Sequence, residues 1–235
     1  PVSKGNLKNL RVGIPSAFSV EECPQVIIDA WEEAATGLEQ SGATLVELPS
    51  DIISPELIRQ SLAAYYILAS AEASSNLSRY DGLRYGLSVN ENHPVAASVT
   101  KMSDLTQLER QYASTRSQGF GREVVRRILS GTSVLSSDRF HTHYEAATKV
   151  RAMVAAQLRE ALTLSVDVLL TPTCLTLPNQ TDRDPTGMFA NDVLTVPVSL
   201  ASLPAISIPW QEESPIGLQI VGADDDKVLE VATAV

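Results

Sequence analysis

The chain lacks the features that would suit it to a membrane, a metal or a redox role. No apolar stretch approaches the roughly 20 residues of a membrane span. Stretches such as Val166 to Leu170, apolar but for Asp167, have the length of a strand. Cysteine occurs twice, at Cys23 and Cys174. No CxxC pair exists, which excludes the zinc and dithiol motifs built on that spacing, and two distant thiols make no disulfide framework. A reducing compartment is the default for such a chain. The histidines, His93, His141 and His143, are scattered, so no metal site is expected. No GxGxxG follows the first strand, which argues against a dinucleotide site there. Basic charge is scarce as well: the net charge is −10, so the surface as a whole does not attract nucleic acid. The notable basic cluster is Arg116, Arg122, Arg126 and Arg127, whose plain reading is a solvated helix face.

What is present is a mixed α/β pattern over 235 residues. Arg11 to Pro15 reads as a strand. Ser19 to Glu22 has the form of a capping box, with Pro24 in the first helical turn. Ile27, Trp31, Ala34, Ala35 and Leu38 then recur at helical spacing, and Gly42 suits a helix C-cap. Ala43 to Leu48 alternates as a half-buried strand does. Strand, helix and strand in this order predict a parallel pair. Helices are expected over Pro55 to Asn76, Leu105 to Arg116, Arg122 to Leu129 and Arg139 to Leu164. Asp81-Gly82 and Ser88 to Pro94 read as turns and loop. Val166 to Leu170 reads as a strand buried on both faces. A polar loop follows from Thr173 to Gly187, then strands at Ala205 to Pro209 and Ile216 to Gly222, and a helix that starts at Asp224. No composition shift divides the chain, so residues 1–235 are expected to form part of a single domain.

Several segments resemble one family in detail. AEASSNLSRYDG (71–82), with Arg84-Tyr85-Gly86 after it, TRSQGFG (115–121) and RRILSGT (126–132) are similar to stretches of the glutamine-hydrolysing subunits of glutamyl-tRNA(Gln) amidotransferases, which are amidase-signature proteins. DVLLTPT (167–173), NDVLTVP (191–197), LPAISIP (203–209) and IGLQ (216–219) continue in register. The resemblance runs from about Leu10 to Val235. It implies the amidase-signature fold, a mixed β-sheet core flanked by helices, incomplete here. Two departures stand out. The GGSSGGS segment of the family, which carries the serine nucleophile, is absent, and neither the second serine nor the lysine of the family can be assigned. Ser202 stands where the family commonly has glycine.

The resemblance implies the glutamine-hydrolysing part of a complex that converts Glu-tRNA(Gln) to Gln-tRNA(Gln). This portion is then expected to contribute glutamine recognition and, without the nucleophile segment, no activity alone. By the same resemblance Arg127 grips the α-carboxylate, Asp192 takes the α-ammonium and Tyr65, or else Tyr66, shapes the pocket. Read from the residues alone, Arg127 is an exposed helix arginine, Asp192 a cap or turn residue and Tyr65 ordinary core. Implied partners are the B-type subunit of the complex, its small C-type subunit and Glu-tRNA(Gln), with ATP and magnesium used at the B-type subunit and no cofactor in this chain. The setting implied is a bacterial cytoplasm or the matrix of an organelle. Two alternatives stay open: another amidase-signature hydrolase acting on a different amide, and an inactive product that serves only as an interaction surface. A chain that begins at Pro1 is expected to be a piece of a longer protein, and to leave sheet edges open when made alone.

Overall fold

The computed structural model describes residues 7–89, 105–177, 189–211 and 214–233. Most of the loop expected at Ser88 to Pro94, and the part of the Thr173 to Gly187 loop that carries Pro178 and Pro185, lie outside the described residues. The chain forms two compact units, Pro1–Tyr65 with Ala147–Val235, and Tyr66–Ala146.

The first unit is built on a five-stranded mixed sheet. Its strands are β1 (Arg11–Pro15), β2 (Thr44–Leu48), β3 (Val168–Pro172), β4 (Ala205–Pro209) and β5 (Gly217–Gly222), in the order β2-β1-β3-β5-β4. The expected parallel pair is β1 with β2, in register from Arg11 and Thr44 to Pro15 and Leu48. β1 also pairs parallel with β3, whereas β5 runs antiparallel to both β3 and β4. β3 is buried at every position, as a central strand covered on both faces must be. It lies two residues later than its apolar run predicts, because Arg11 and Asp167 set the start of the pairing. The Asp167 amide donates to the Arg11 carbonyl, and the Asp167 carboxylate takes the Arg11 amide and guanidinium.

Helix α1 (Gln25–Gln40) buries Ile27, Ala30, Trp31, Ala34, Ala35 and Leu38, the stripe that its spacing predicts. Trp31 also donates its Nε1–H to the Leu170 carbonyl at 3.0 Å, pinning the helix to β3. The capping box expected at Ser19 to Glu22 does not form. Ser16 to Phe18 make a short 3-10 turn that buries Phe18, the Cys23 amide closes a further turn on Val20, and Pro24 opens the helix without a side-chain cap. At the other end Gly42 adopts φ 104°, and its amide and that of Ala43 donate to Glu39 and Leu38, a Schellman motif.

α2 (Pro55–Leu77) begins in the first unit and continues into the second. The second unit also holds α3 (Gln107–Gly119) and α4 (Arg122–Val134). α3 carries a fully formed capping box, which the pattern at Ser19 only suggested for α1: Thr106 and Glu109 satisfy each other's backbone amides at 2.7 and 3.3 Å. α4 runs five residues past its predicted end at Leu129, although Gly131 weakens a helix. Gly131 is where α4 touches α2, for a Cβ there would collide with the Ser70 carbonyl. Ser74 and Thr132 hydroxyls bond at 3.0 Å beside it. The helix expected from Arg139 is interrupted by a π-turn over Phe140–Tyr144, in which the Phe140 and Tyr144 rings stack at 5.2 Å, and α5 proper is Glu145–Leu164. α5 buries Ala147, Val154, Leu158, Ala161 and Leu162. A 3-10 turn (Asn191–Leu194) leads into α6 (Val196–Ala201), and α7 (Asp225–Ala232) is capped by the Asp224 side chain.

Candidate functional site

Arg127 stands on α4, the helix that Gly131 and Thr132 hold against α2. Its side chain is half exposed, and its Nε lies 3.5 Å from Glu123 one turn back. The other Glu123 oxygen takes Arg126 at 2.6 Å. One carboxylate thus serves two guanidinium groups. Exposed pairs of this spacing are worth about 0.3–0.5 kcal/mol, so a better carboxylate can displace Glu123 from Arg127 at small cost. Arg122, on the same helix, lines an open cleft of about 430 Å³ with Phe120, Val125, Arg126 and Leu129. Much of α4 is solvated, as the plain reading of the arginine cluster expects. Arg116 is used differently: it lies over the Phe120 ring at 4.9 Å, and its Nη1 donates to the Leu77 carbonyl. Asp81 closes a turn by accepting the Leu83 and Arg84 amides, and those bonds, the Leu83 one foremost, hold its carboxyl below the usual range.

Asp192 sits in the 3-10 turn that precedes α6, half-buried. The turn is anchored on both sides of it. Asn191 donates its Nδ2–H to Thr176 Oγ1 at 2.9 Å. At the far side, the Leu194 carbonyl accepts from Gln219 Nε2 at 3.2 Å. Gln219 also donates to Thr171 Oγ1 at 3.0 Å. Gln219 and Thr171 are direct partners in the β3–β5 register, so their side chains leave the sheet on one face side by side. The end of α6 is held equally firmly. Arg151 Nε donates to the Leu200 carbonyl at 3.1 Å and Arg159 Nη2 to Ala201 at 2.7 Å. These are the carbonyls that a helix C-terminus leaves without partners, and arginine there also suits the helix dipole. Ser202 follows at φ 53°.

Tyr65 and Tyr66 lie side by side in α2, both half-buried. Asp192 and Tyr65 belong to one compact unit, Arg127 and Tyr66 to the other. Sequence reading did not single out Gln219, Thr171, Asn191, Arg151 or Arg159. The signal available for Gln219 was a polar residue among Leu218, Ile220 and Val221, all fully buried.

Among the described residues, no three histidine, cysteine, aspartate or glutamate side chains converge to hold a metal ion, and no helix is long and apolar enough to cross a membrane. A cleft of about 990 Å³ opens over α1, β1 and β2, with Trp31, Glu32 and Glu47 in its wall. None of the candidate residues lines it.

Comparison with known proteins places these features. The model of the amidase family matches residues 1–229. The A-type subunit of glutamyl-tRNA(Gln) amidotransferase from Rhodospirillum rubrum is 42% identical over 99% of this chain and 44% of its own length. Among solved structures, the corresponding protein from Thermotoga maritima superposes with a TM-score of 0.64 at 28% identity, over 99% of this chain and 43% of that one. An amidase at 21% identity superposes with a TM-score of 0.65 and shares the fold. The chain thus spans less than half the length of the curated relatives that it matches, and the mixed sheet flanked by helices is the amidase-signature architecture that the motifs imply.

Proposed function

The chain belongs to the amidase family, and from that footing we propose that it is the glutamine-recognising part of the A-type subunit of a glutamyl-tRNA(Gln) amidotransferase. The observation that carries this reading is the 42% identity, across 99% of the chain, to the Rhodospirillum rubrum protein of that name.

The reaction proposed for the whole protein begins at the side-chain amide of glutamine. A serine hydroxyl attacks the amide carbon, ammonia leaves, and water hydrolyses the resulting ester. Such a serine needs a base to take its proton and donors to hold the oxyanion. This chain carries no GGSSGGS segment to supply them, and its own part is recognition. The substrate presents an α-carboxylate and an α-ammonium. By family resemblance Arg127 meets the carboxylate, for which a guanidinium is suited by its fork of donors. Asp192 meets the ammonium, and Tyr65 or Tyr66 shapes the pocket wall. The weakness of the Glu123 pair supports the role of Arg127, because little is lost when the guanidinium changes partner. The ammonia then passes to the B-type subunit, which uses ATP and magnesium to amidate Glu-tRNA(Gln), with the small C-type subunit completing the complex. A chain of net charge −10 leaves the tRNA phosphates to those partners.

The test is glutamine hydrolysis by the chain alone and after co-expression with the part of the Rhodospirillum rubrum protein to which it does not align. Turnover is expected only in the combined sample, with loss on Arg127→Ala or Asp192→Ala. Turnover by the purified chain alone, or none in a folded combined sample, overturns the reading.

A further inference from the structure

We propose that Gln219 is a positioning residue for Asp192, fixing the turn that presents its carboxylate to the ammonium group of the substrate; this rests on the reading of Asp192 given above. Gln219 is 5% exposed and Thr171 wholly buried. Burying a primary amide among aliphatic side chains costs about 1–3 kcal/mol unless its polar atoms are satisfied, and leucine or valine would fill the position in β5 without that cost. The amide uses its two N–H groups in two directions. One runs along the sheet to the directly opposed Thr171, which fixes the orientation of the amide plane. The other leaves the sheet for the Leu194 carbonyl. Thr171 therefore aims Gln219, and Gln219 holds the turn.

The bond to Leu194 has a counterpart at the other end of the same turn, where Asn191 is tied to Thr176. Between the two anchors lie only Asp192 and Val193, and Val193 is itself packed into the core. With Asn191 tied to Thr176 in the loop after β3, Val193 in the core and Leu194 tied to β5, the backbone on either side of Asp192 is held. Directional contacts need this, since a displacement of about 1 Å in a positioned group costs up to about a hundredfold in rate. Arg151 and Arg159 continue the clamping at α6, but they act two turns farther along and on a different pair of carbonyls.

The experiment compares glutamine with glutaramate, the same molecule without its α-ammonium, in the combined sample described above. Gln219→Leu is expected to raise KM for glutamine about tenfold, the effect of losing one charge-assisted contact. KM for glutaramate should not move, and the change should fall on KM rather than kcat. Asp192→Asn should give the same collapse of preference, and the double variant should be no worse than Asp192→Asn. Gln219→Glu keeps the volume but loses both N–H donors, so the Thr171 hydroxyl must turn to donate to the carboxylate and the Leu194 carbonyl is left without its partner; it should reproduce the effect if the leucine variant does not fold. A Gln219 variant that slows both substrates equally, or a double variant whose losses add, would show scaffolding alone and overturn the proposal. If Asp192→Asn leaves the preference intact while Arg127→Ala abolishes glutamine use, the roles of Asp192 and Gln219 fall and the glutaminase reading stands. A folded but inactive combined sample removes both.

Discussion

Glu123 holds Arg126 and Arg127 at once, one on each carboxylate oxygen, at 2.6 and 3.5 Å. The longer contact is the one made to the arginine proposed to meet the substrate. Under the proposed role of Arg127, Glu123 competes with the carboxylate of glutamine for that guanidinium.

Glu123→Gln should therefore lower KM for glutamine about twofold, the equivalent of an exposed i,i+4 pair. The gain should shrink as salt is raised, because screening already weakens the pair in the parent protein. Steady-state glutaminase assays at low and high ionic strength check this. A KM that rises would mean that Glu123 orients Arg127 rather than competes for it.

α1 and α6 end in the same way with different residues. After α1, Ala43 donates to Leu38 across Gly42; after α6, Leu203 donates to Val198 across Ser202. Gly42 and Ser202 both take positive φ, 104° and 53°, which costs an L side chain about 1–2 kcal/mol. Ser202→Gly should stabilise the protein by about 1 kcal/mol, read as a higher urea midpoint with an unchanged slope. A lower midpoint would mean that the serine side chain repays its backbone strain.

Two helical glycines should respond in opposite directions to alanine. At Gly37 the new Cβ meets only the edge of the Trp210 ring at 3.7 Å, and Gly37→Ala should gain up to about 1 kcal/mol. At Gly131 it strikes the α2 backbone at Ser70. Gly131→Ala should cost about 3 kcal/mol or more, and hydrogen exchange should locate the loss in Tyr66–Ala146. Uniform loosening of the whole chain would contradict the placement.

Asp167 makes stability depend on pH in acid. Burial by itself raises its pKa, but hydrogen bonds from the Arg11 side chain and amide, with the guanidinium charge, outweigh burial and hold the carboxyl below its ordinary 3.8. A depressed carboxyl adds stability that is fully present above the unfolded-state pKa and disappears as pH falls through the folded-state one. Asp167→Asn should melt below the parent protein at neutral pH, and the two curves should converge below about pH 4. Parallel curves across that range would show that the pair contributes nothing.

Local periodicity made the elements legible and left their attachments hidden. The buried face of α1 followed from its spacing, because a helix shows one stripe to whatever covers it. Ala205–Pro209 lay between clear breakers. The SxxE pattern at Ser19 formed no capping box, and α1 starts at Gln25, with Pro24 as its N-cap, after a 3-10 turn that buries Phe18; the box that does form, Thr106 with Glu109, was not named from the sequence. The π-turn gave no signal, as Phe140 and Tyr144 have the spacing of any helical pair. The anchors of Asp192 were beyond reach for a different reason. Thr171 and Gln219 are 48 residues apart, and only the strand register shows that they stand opposite. Arg127 and Asp192 themselves were named by motif resemblance, because nothing in their local pattern separates them from a surface arginine and a turn aspartate.

Tyr66–Ala146 interrupts the first unit in sequence, so that β1 and β2 are made long before β3, the second partner of β1 in the sheet. β4 and β5, by contrast, are near neighbours that pair across a short connection. Local pairings close quickly and distant ones slowly. During synthesis the β1–β2 pair and α1 must wait, one sheet edge unsatisfied, while more than a hundred further residues emerge. The joining of β1 to β3 is therefore expected to close more slowly than that of β4 to β5. Until Val168 is made, the edge of β1 that β3 will take has no partner in this sheet, a condition that favours aggregation or capture by a chaperone.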